Sequence, residues 1–404
     1  MNNFDFKLAV SDPNLFFGRT KILKEICDRP SNVWIILGGR RIGKTSFLNA
    51  LEFGLIDPTI GSFEQPFPVV IDLNRPKPKS LDNLRYILIS RAWEAVSRWK
   101  EIDKERPTLR SIYKNYLRQI ISGEVTVSFL EQIKVKLLIS NPDYERALDD
   151  NAFTIALEAI INEIRKTGEY NGICFLLDSA EFITSQDWAL DAWTYFRALK
   201  DSDKAYIKQH LGLVLSGYRE LRDYQQKVCS PLLNIANIRW LYTLTDDEVK
   251  ALVKSRIENL NSKLETNFVV QPDLMDRIIQ ATGCHPCLIQ LFLNKIELKL
   301  CNSEELVYND LFLDFVEEYS NLFSSWWNES QEAGRLGDQE RLIYKALCGS
   351  GNSSLRSLSE RTNLRMSKLK KSLDVLLATG IVREPRKKEY VVGSSLFEHW
   401  VRPG

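Results

Sequence analysis

Val33-Trp34-Ile35-Ile36-Leu37-Gly38-Gly39-Arg40-Arg41-Ile42-Gly43-Lys44-Thr45-Ser46-Phe47-Leu48-Asn49-Ala50-Leu51 is the stretch whose reading decides the fold. The apolar run to Leu37 reads as a buried strand and the residues from Ser46 as a helix, which makes Gly38 to Thr45 the turn between them. That turn fits G-x-x-x-x-G-K-[ST] in the strand–turn–helix setting the pattern requires. Glycines let backbone N–H groups curl around phosphates, and the helix beginning near Gly43 adds its positive end to the same anion. Lys44 can reach β and γ oxygens as a point charge, and the Thr45 hydroxyl can join the shell of a Mg²⁺ ion that keeps most of its waters. Gly38, Gly39, Arg40, Arg41, Ile42, Gly43, Lys44, Thr45 and Ser46 are therefore candidate nucleotide-binding residues, with ATP or ADP and Mg²⁺ the expected cofactors.

The rest of the composition is that of an ordinary globular protein. With 404 residues and 44% hydrophobic content, the chain is long enough for two or three domains with cores of their own. No charged-then-apolar leader opens it at Met1 to Asp5, and no apolar run approaches the roughly 20 residues of a membrane helix. A cytoplasmic protein without a membrane partner is expected. Seven scattered cysteines read as reduced thiols rather than a disulfide framework. The net charge of +1 hides a gradient. Cys301 to Gly337 holds one Lys/Arg against eight Asp/Glu, a balance of −7, and Asp338 to the end holds thirteen against seven, a balance of +6. Any nucleic-acid contact is therefore expected in the tail.

Along the chain, Thr20 reads as the N-cap of a lead-in helix with Ile22, Leu23 and Ile26 on one face. Phe67 to Leu73, Gly172 to Asp178, Leu211 to Gly217 and the short Ile238 to Leu241 read as further strands, and long connections between strands imply parallel crossovers. About a hundred residues between Leu73 and Gly172 carry helical periodicity over Leu81 to Trp99, Leu109 to Ile121, Val125 to Ile139 and Leu148 to Ile164. Helices follow over Asp246 to Leu260, Pro272 to Ala281, Pro286 to Leu300 and Glu304 to Trp327. Three short helices and the hairpin Gly380 to Val392 then read as a winged helix. The expected architecture is an α/β P-loop NTPase over 1–243, with a helical insertion near 78–168, an all-α lid over 244–335 and a winged-helix domain over 336–404.

Asp178 ends an apolar strand, where a carboxylate can reach the metal on a bound nucleotide; with Thr45 it is the candidate Mg²⁺ ligand pair. The next position, where a glutamate often polarises the attacking water, is Ser179, which has no base of its own. Glu181 reads either as a carboxylate turned inward or as a solvated helix start. Ser216 and Arg219, at and just past the fourth strand, can sense a terminal phosphate, and the alternative for Arg219 is a surface loop. With Lys44, Asp178 and Glu181, Arg219 makes up the candidate catalytic set, and hydrolysis is expected to be slow or partner-dependent. Gly283-Cys284-His285-Pro286-Cys287 contains a C-x-x-C without a second ligand pair, so it reads as a helix–helix elbow turned to the nucleotide and not as a zinc or redox site. Arg365, Lys368, Lys370 and Lys371 on the last long helix, with Arg386, Lys387 and Lys388 on the wing, suit a recognition helix and wing on duplex DNA. Packing or protein contact is the alternative use of the same face.

Taken together, Phe17-Gly18-Arg19, the loop from Gly38 to Thr45, the strand ending at Asp178, Arg219, Gly283-x-His285-Pro286 and the terminal winged helix resemble the STAND ATPases. The likeness is to the branch close to archaeal-type ATPases and origin-recognition AAA+ proteins, over nearly the whole chain. It implies a five-stranded parallel sheet with a central loop strand, a helical lid from which His285 and Pro286 contact the nucleotide, and a winged helix packed on the nucleotide domain. It also implies a nucleotide-dependent switch in which ATP permits homo-oligomerisation, with a protein partner or effector. Ser179 departs from the pattern, and no sensor repeats follow the tail. Two functions stay open: a signalling or defence switch whose output is assembly, and a DNA-binding ATPase working through its winged helix in replication, transposition or transcription. A scaffold with a vestigial loop is a third.

Overall fold

The computed structural model describes residues 10, 15–56, 65–103, 147–201, 205–265, 267–327 and 336–402. Leu109 to Ile121 and Val125 to Ile139, expected as helices, lie outside the described residues.

Five parallel strands form one sheet: β1 (Val33–Leu37), β2 (Pro66–Asp72), β3 (Gly172–Asp178), β4 (Leu211–Gly217) and β5 (Ala236–Trp240), in the order β2-β3-β4-β1-β5. β1 pairs with β4 and β5 and so runs inside the sheet. Its side chains alternate between faces. Val33, Ile35 and Leu37 join a core with the helices α3 (Leu81–Asp103) and α4 (Asp150–Arg165). Trp34 and Ile36 join a second core with α1 (Thr20–Cys27) and α2 (Lys44–Ile56). With both faces covered, a continuous apolar run is what such a strand requires. Thr20 is not the cap of α1: it is the first helical residue, and Arg19 before it sits in the left-handed region at φ 59° with no side-chain cap.

After β3 come α5 (Glu181–Thr184), α6 (Ala189–Asp201) and α7 (Ala205–His210), and after β4 comes α8 (Arg219–Lys227). The lid holds α9 (Asp246–Leu264), α10 (Pro272–Thr282) and α11 (Pro286–Cys301), then α12 (Tyr308–Glu318) and α13 (Ser320–Trp327). The single helix expected from Glu304 to Trp327 is thus two, broken at Tyr319, whose N–H still bonds to Phe315 O at 3.0 Å. The tail is a winged helix: α14 (Asp338–Leu347), β6 (Ser353–Ser354), α15 (Leu355–Thr362), α16 (Met366–Thr379), the hairpin β7 (Val382–Arg386) and β8 (Glu389–Val392), and a further helix α17 (Ser395–Val401). Lid and winged helix share one continuous core, from Leu244 through Phe292, Phe315 and Trp326 to Tyr344, Leu373 and Phe397. The architecture is an α/β P-loop NTPase sheet followed by an all-α lid and a winged helix.

Candidate nucleotide site

Gly43 has φ +92°, a left-handed geometry that suits glycine, and α2 begins at the next residue. A Cβ on Gly43 would lie 2.9 Å from Arg19 Nη1, so the loop bends around that guanidinium. Lys44 is buried, and its ammonium donates to Gly38 O (3.0 Å) and Gly39 O (2.9 Å). It also stands 3.6 Å from the centre of the Tyr218 ring, so its charge is shared between two carbonyls and an aromatic face. Burial lowers the Lys44 pKa to about 8, while Glu181, Asp178 and Glu220 nearby pull it back up.

Thr45 Oγ1 donates to Asp178 Oδ2 at 2.5 Å, which joins the first turn of α2 to the end of β3. Asp178 Oδ1 in turn accepts from the Ser179 N–H at 2.9 Å. Ser179 adopts φ +58°, uncommon for a residue with a side chain, and the chain turns there. Ala180 N–H then bonds to Ser216 O at 2.8 Å and α5 begins with Glu181. The turn carries the Glu181 carboxylate inward, so that a Cβ on Gly217 would meet Glu181 Oε2 at 2.7 Å. Burial raises the Glu181 pKa to about 7, against the pull of Lys44, and its Oε2 is buried without a hydrogen-bond partner. Ser216 Oγ, fully buried on β4, is likewise unpartnered.

These groups come together around the loop: Lys44, Thr45, Asp178, Glu181 and Ser216. Of the residues between Gly39 and Gly43, Arg41 reaches the lid and Ile42 joins the core under α1 and α2. Arg40 lies 5.9 Å from the Tyr218 ring centre, Arg41 Nη1 reaches Cys287 Sγ at 4.0 Å, and Ile42 is buried. Ser46 Oγ accepts from the Val10 N–H at 2.9 Å.

Arg219 is the first residue of α8, not a loop arginine, and its Nη1 pairs with Glu340 Oε1 on the winged helix at 3.3 Å. The elbow of the lid has Gly283 at φ +59° between α10 and α11. It packs on the winged-helix backbone, since a Cβ on Gly283 would lie 2.3 Å from Gly393. The His285 ring is fully buried, 4.9 Å from Trp326 and against Gly380 and therefore close to Ile42, while Pro286 starts α11. Burial and the neighbouring Arg19 and Arg41 push the His285 pKa down to about 3, against the pull of the Arg40 backbone, so the ring is neutral.

The winged helix covers the outer side of the loop. Gly39 N–H donates to Ala378 O at 2.8 Å, and a Cβ on Gly39 would sit 2.5 Å from Thr379 Cα. Only glycine allows that approach. Gly38, Gly39, Tyr218, Arg219 and Trp240 face Val375, Ala378 and Thr379 across a cavity of about 10 Å³, room for roughly one water. At the far end of α16, Arg365, Lys368, Lys370 and Lys371 are exposed, as are Arg386, Lys387 and Lys388 on the wing.

Two residues with a place at this site carry no local signal in the sequence, Tyr218 and Glu340, and a third, Arg19, entered only through the resemblance and without a role. Arg19 donates to Ile42 O and, at 3.1 Å, to Tyr242 O, and its N–H bonds to Glu248 Oε1 at 3.0 Å. Burial lowers its pKa to about 10 against the pull of Glu248. The Gly337-x-x-Glu340 spacing suggests a helix cap, but nothing in it points to Arg219.

Loop, Thr45 and Asp178 fit a Mg²⁺-nucleotide: amides and a helix N-terminus for phosphate, a lysine, and a hydroxyl and a carboxylate already side by side for the metal. No family model and no curated protein matches the chain. Among solved structures, it is similar to the Aeropyrum pernix ORC1 protein in complex with DNA, at TM-score 0.41 and 12% identity over 96% of this chain and 93% of that one. It is also similar to the Aeropyrum pernix ORC2 protein in ADPNP-ADP complexes (TM-score 0.44, 12% identity, 96% and 93%) and to Cdc6p from Pyrobaculum aerophilum (0.40, 12%, 98% and 99%).

Proposed function

We propose that this chain is a slow, ATP-binding AAA+-like ATPase whose nucleotide state is transmitted to a DNA-contacting winged helix. The observation that carries the nucleotide part is the hydrogen bond from Thr45 to Asp178 beside the buried Lys44. A bound ATP would supply the γ-phosphate and, with Mg²⁺, the charge that these side chains hold. Lys44, now held by the carbonyls of Gly38 and Gly39, would bind phosphate oxygens, Thr45 and Asp178 would hold the metal, which would supply charge neutralisation there, and Glu181 would accept the proton of the attacking water. Glu181 stands where Ser179 cannot act, and its raised pKa puts it near the operating pH of a general base. The cost of displacing Lys44 from its carbonyls falls on binding, and slow turnover is supported by Ser179, which has no base of its own.

The DNA part rests on the row Arg365, Lys368, Lys371, Arg386, Lys387 and Lys388, exposed on one helix end and one wing. Calorimetry with ATP on wild type and Lys44→Ala tests the first part: equal binding by both sinks it. Duplex binding followed over a salt series tests the second, since phosphate contacts weaken linearly in log salt. Binding that is absent, or indifferent to salt, removes DNA as the partner.

The second reading, a STAND-like switch whose output is ATP-dependent homo-oligomerisation or effector recruitment, is favoured by the winged helix lying directly on Gly39. Sizing the protein with ADP and with a non-hydrolysable ATP analogue separates the readings. A monomer in both nucleotides excludes assembly.

A further inference from the structure

Tyr218 is delivered to the phosphate loop by the sheet. Leu37 and Gly217 are register partners at the ends of β1 and β4, and the Gly38 N–H donates to Gly217 O at 3.3 Å, so the residue after Gly217 starts beside the first glycine of the loop. Its backbone is extended there (φ −91°, ψ −178°), and its carbonyl accepts from the Leu221 N–H at 3.1 Å, which ties it to the start of α8. Tyr218 lines, with Gly38, Gly39 and the α16 residues Val375, Ala378 and Thr379, a space of only about 10 Å³, which leaves the ring little room to swing.

The ring lies against a lysine whose charge burial disfavours. Lys44 Nζ is 3.6 Å from the ring centre, and the Arg40 guanidinium is 5.9 Å from it. Burial lowers the Lys44 pKa to about 8; of the charged groups that face it, Glu181 on α5, Asp178 on β3 and Glu220 on α8 favour the ammonium, and Arg40 in the loop opposes it. Two of those carboxylates are poor counter-charges. Glu181 is itself pushed up to about 7 by burial, and Asp178 is engaged by Thr45 and Ser179. An aromatic face differs in kind: it is a fixed quadrupole, and burial lifts the phenol to about 12, so it does not titrate where the lysine does. Nor does it require one N–H direction. The ammonium can keep the ring while the N–H groups now on Gly38 O and Gly39 O turn to phosphate.

We propose that Tyr218 is the positioning residue for Lys44: its ring face holds the ammonium charged and at the loop, both before and after phosphate is bound. This rests on the nucleotide-binding reading above and adds to it a residue that acts through the lysine. Nucleotide binding then persists to a higher pH than a lysine buried without the ring would allow. The negative potential of the face sets that limit, and the hydroxyl has no part in it.

The test is calorimetry on the full chain with Mg²⁺ and a non-hydrolysable ATP analogue, from about pH 7.5 to about pH 9.5, where Lys44 gives up its proton. Position 218 carries tyrosine, phenylalanine, or phenylalanine with three or five ring fluorines, which keep the shape of the ring and deplete its face. Affinity should fall with rising pH through a midpoint that Lys44→Ala abolishes. Tyr218→Phe should restore the wild-type midpoint, and the fluorinated rings should move it to lower pH in order of fluorine number, because a depleted face favours the neutral amine. At five fluorines the move should be about half to one and a half pH units, which reads at the alkaline end as a loss of about 3- to 30-fold against Tyr218→Phe. If phenylalanine and its fluorinated forms share one midpoint while Lys44→Ala still loses binding, the ring only packs and the proposal is wrong, with the nucleotide reading intact. A midpoint that moves on Tyr218→Phe and no further on fluorination assigns the effect to the hydroxyl and overturns it as well. If wild type does not bind the analogue, or Lys44→Ala binds like wild type, both readings fall together.

Discussion

Lys44 makes in this structure two contacts it must give up in order to work, those to Gly38 O and Gly39 O. Its ammonium has three N–H groups; two point to carbonyls of its own loop and the Tyr218 ring lies 3.6 Å from the nitrogen. A hydrogen bond to a charged group nets about 1.5–3 kcal/mol, so Lys44→Ala should weaken ATP by about 10- to 150-fold, read by calorimetry. Glu181 is the second residue-scale case. It must be ionised to accept a proton, so hydrolysis should climb about tenfold per pH unit below pH 7 and level off above it, and Glu181→Gln should remove turnover while leaving binding. The same shift has a stability sign. Because the folded protein holds this proton more tightly than the unfolded chain does, its contribution makes stability fall as pH rises from about 4.5 to about 7, and Glu181→Gln should flatten that part of the denaturation profile. Asp178 was legible as a strand-end carboxylate. The inward turn of Glu181 was one of two open readings, and what decides it, Ser179 taking φ +58°, is not something a serine advertises.

Among elements, α9 shows how one helix start serves two purposes. Thr245 Oγ1 accepts from the Glu248 N–H at 3.3 Å, and Glu248 Oε2 accepts from the Thr245 N–H at 2.8 Å, a reciprocal cap. The other oxygen of Glu248 holds the Arg19 N–H. Thr245→Ala should cost about 1 kcal/mol in chemical denaturation. Glu248→Ala should cost more and should also weaken nucleotide binding, because Arg19 loses its anchor beside Gly43; equal losses for the two variants would mean that Arg19 is positioned without it. The strands of the sheet domain were readable as continuous apolar runs, and α3 and α4 by apolar residues at helical period, whereas α6, α7 and α8 were not read from the sequence. Glu304 to Trp327 misled because its apolar spacing runs on through Tyr319, and periodicity cannot see a break that keeps the same face buried. The helix α17 carries a Ser394 cap, whose Oγ accepts from the Phe397 N–H at 3.2 Å, but it is too short for its period to stand out.

Across the whole molecule, α16 joins two surfaces. Its last turn lies on Gly39 and its first carries Arg365 and Lys368 into solvent. A helix of 14 residues is stiff over that length, so what happens at one end is felt at the other. Linkage then requires reciprocity: if ATP changes duplex affinity by some factor, duplex changes ATP affinity by the same factor. Duplex titrations with and without the analogue, paired with nucleotide titrations with and without duplex, should return equal factors. Reversing both Lys387 and Lys388 should weaken binding to all sequences alike and flatten the log–log salt slope by roughly 2. The contacts of Arg19, and the places of Tyr218 and Glu340, were out of reach of the sequence for a reason of scale. Each acts through a partner on another element, and residue spacing along the chain does not encode which distant elements will touch.

The continuous core from Leu244 to Phe397 has a practical consequence for dissection. The winged helix is not a portable module. Cutting the chain before Asp338 would bare Phe323 and Trp326, which now pack against Phe397, and the shortened protein should aggregate rather than report on an ATPase freed of its tail. Gain-of-function by truncation, a common route to an always-on enzyme, is closed here by packing alone. Activation has to come from point changes at the seam, and evolution of a new tail would have to rebuild the lid with it.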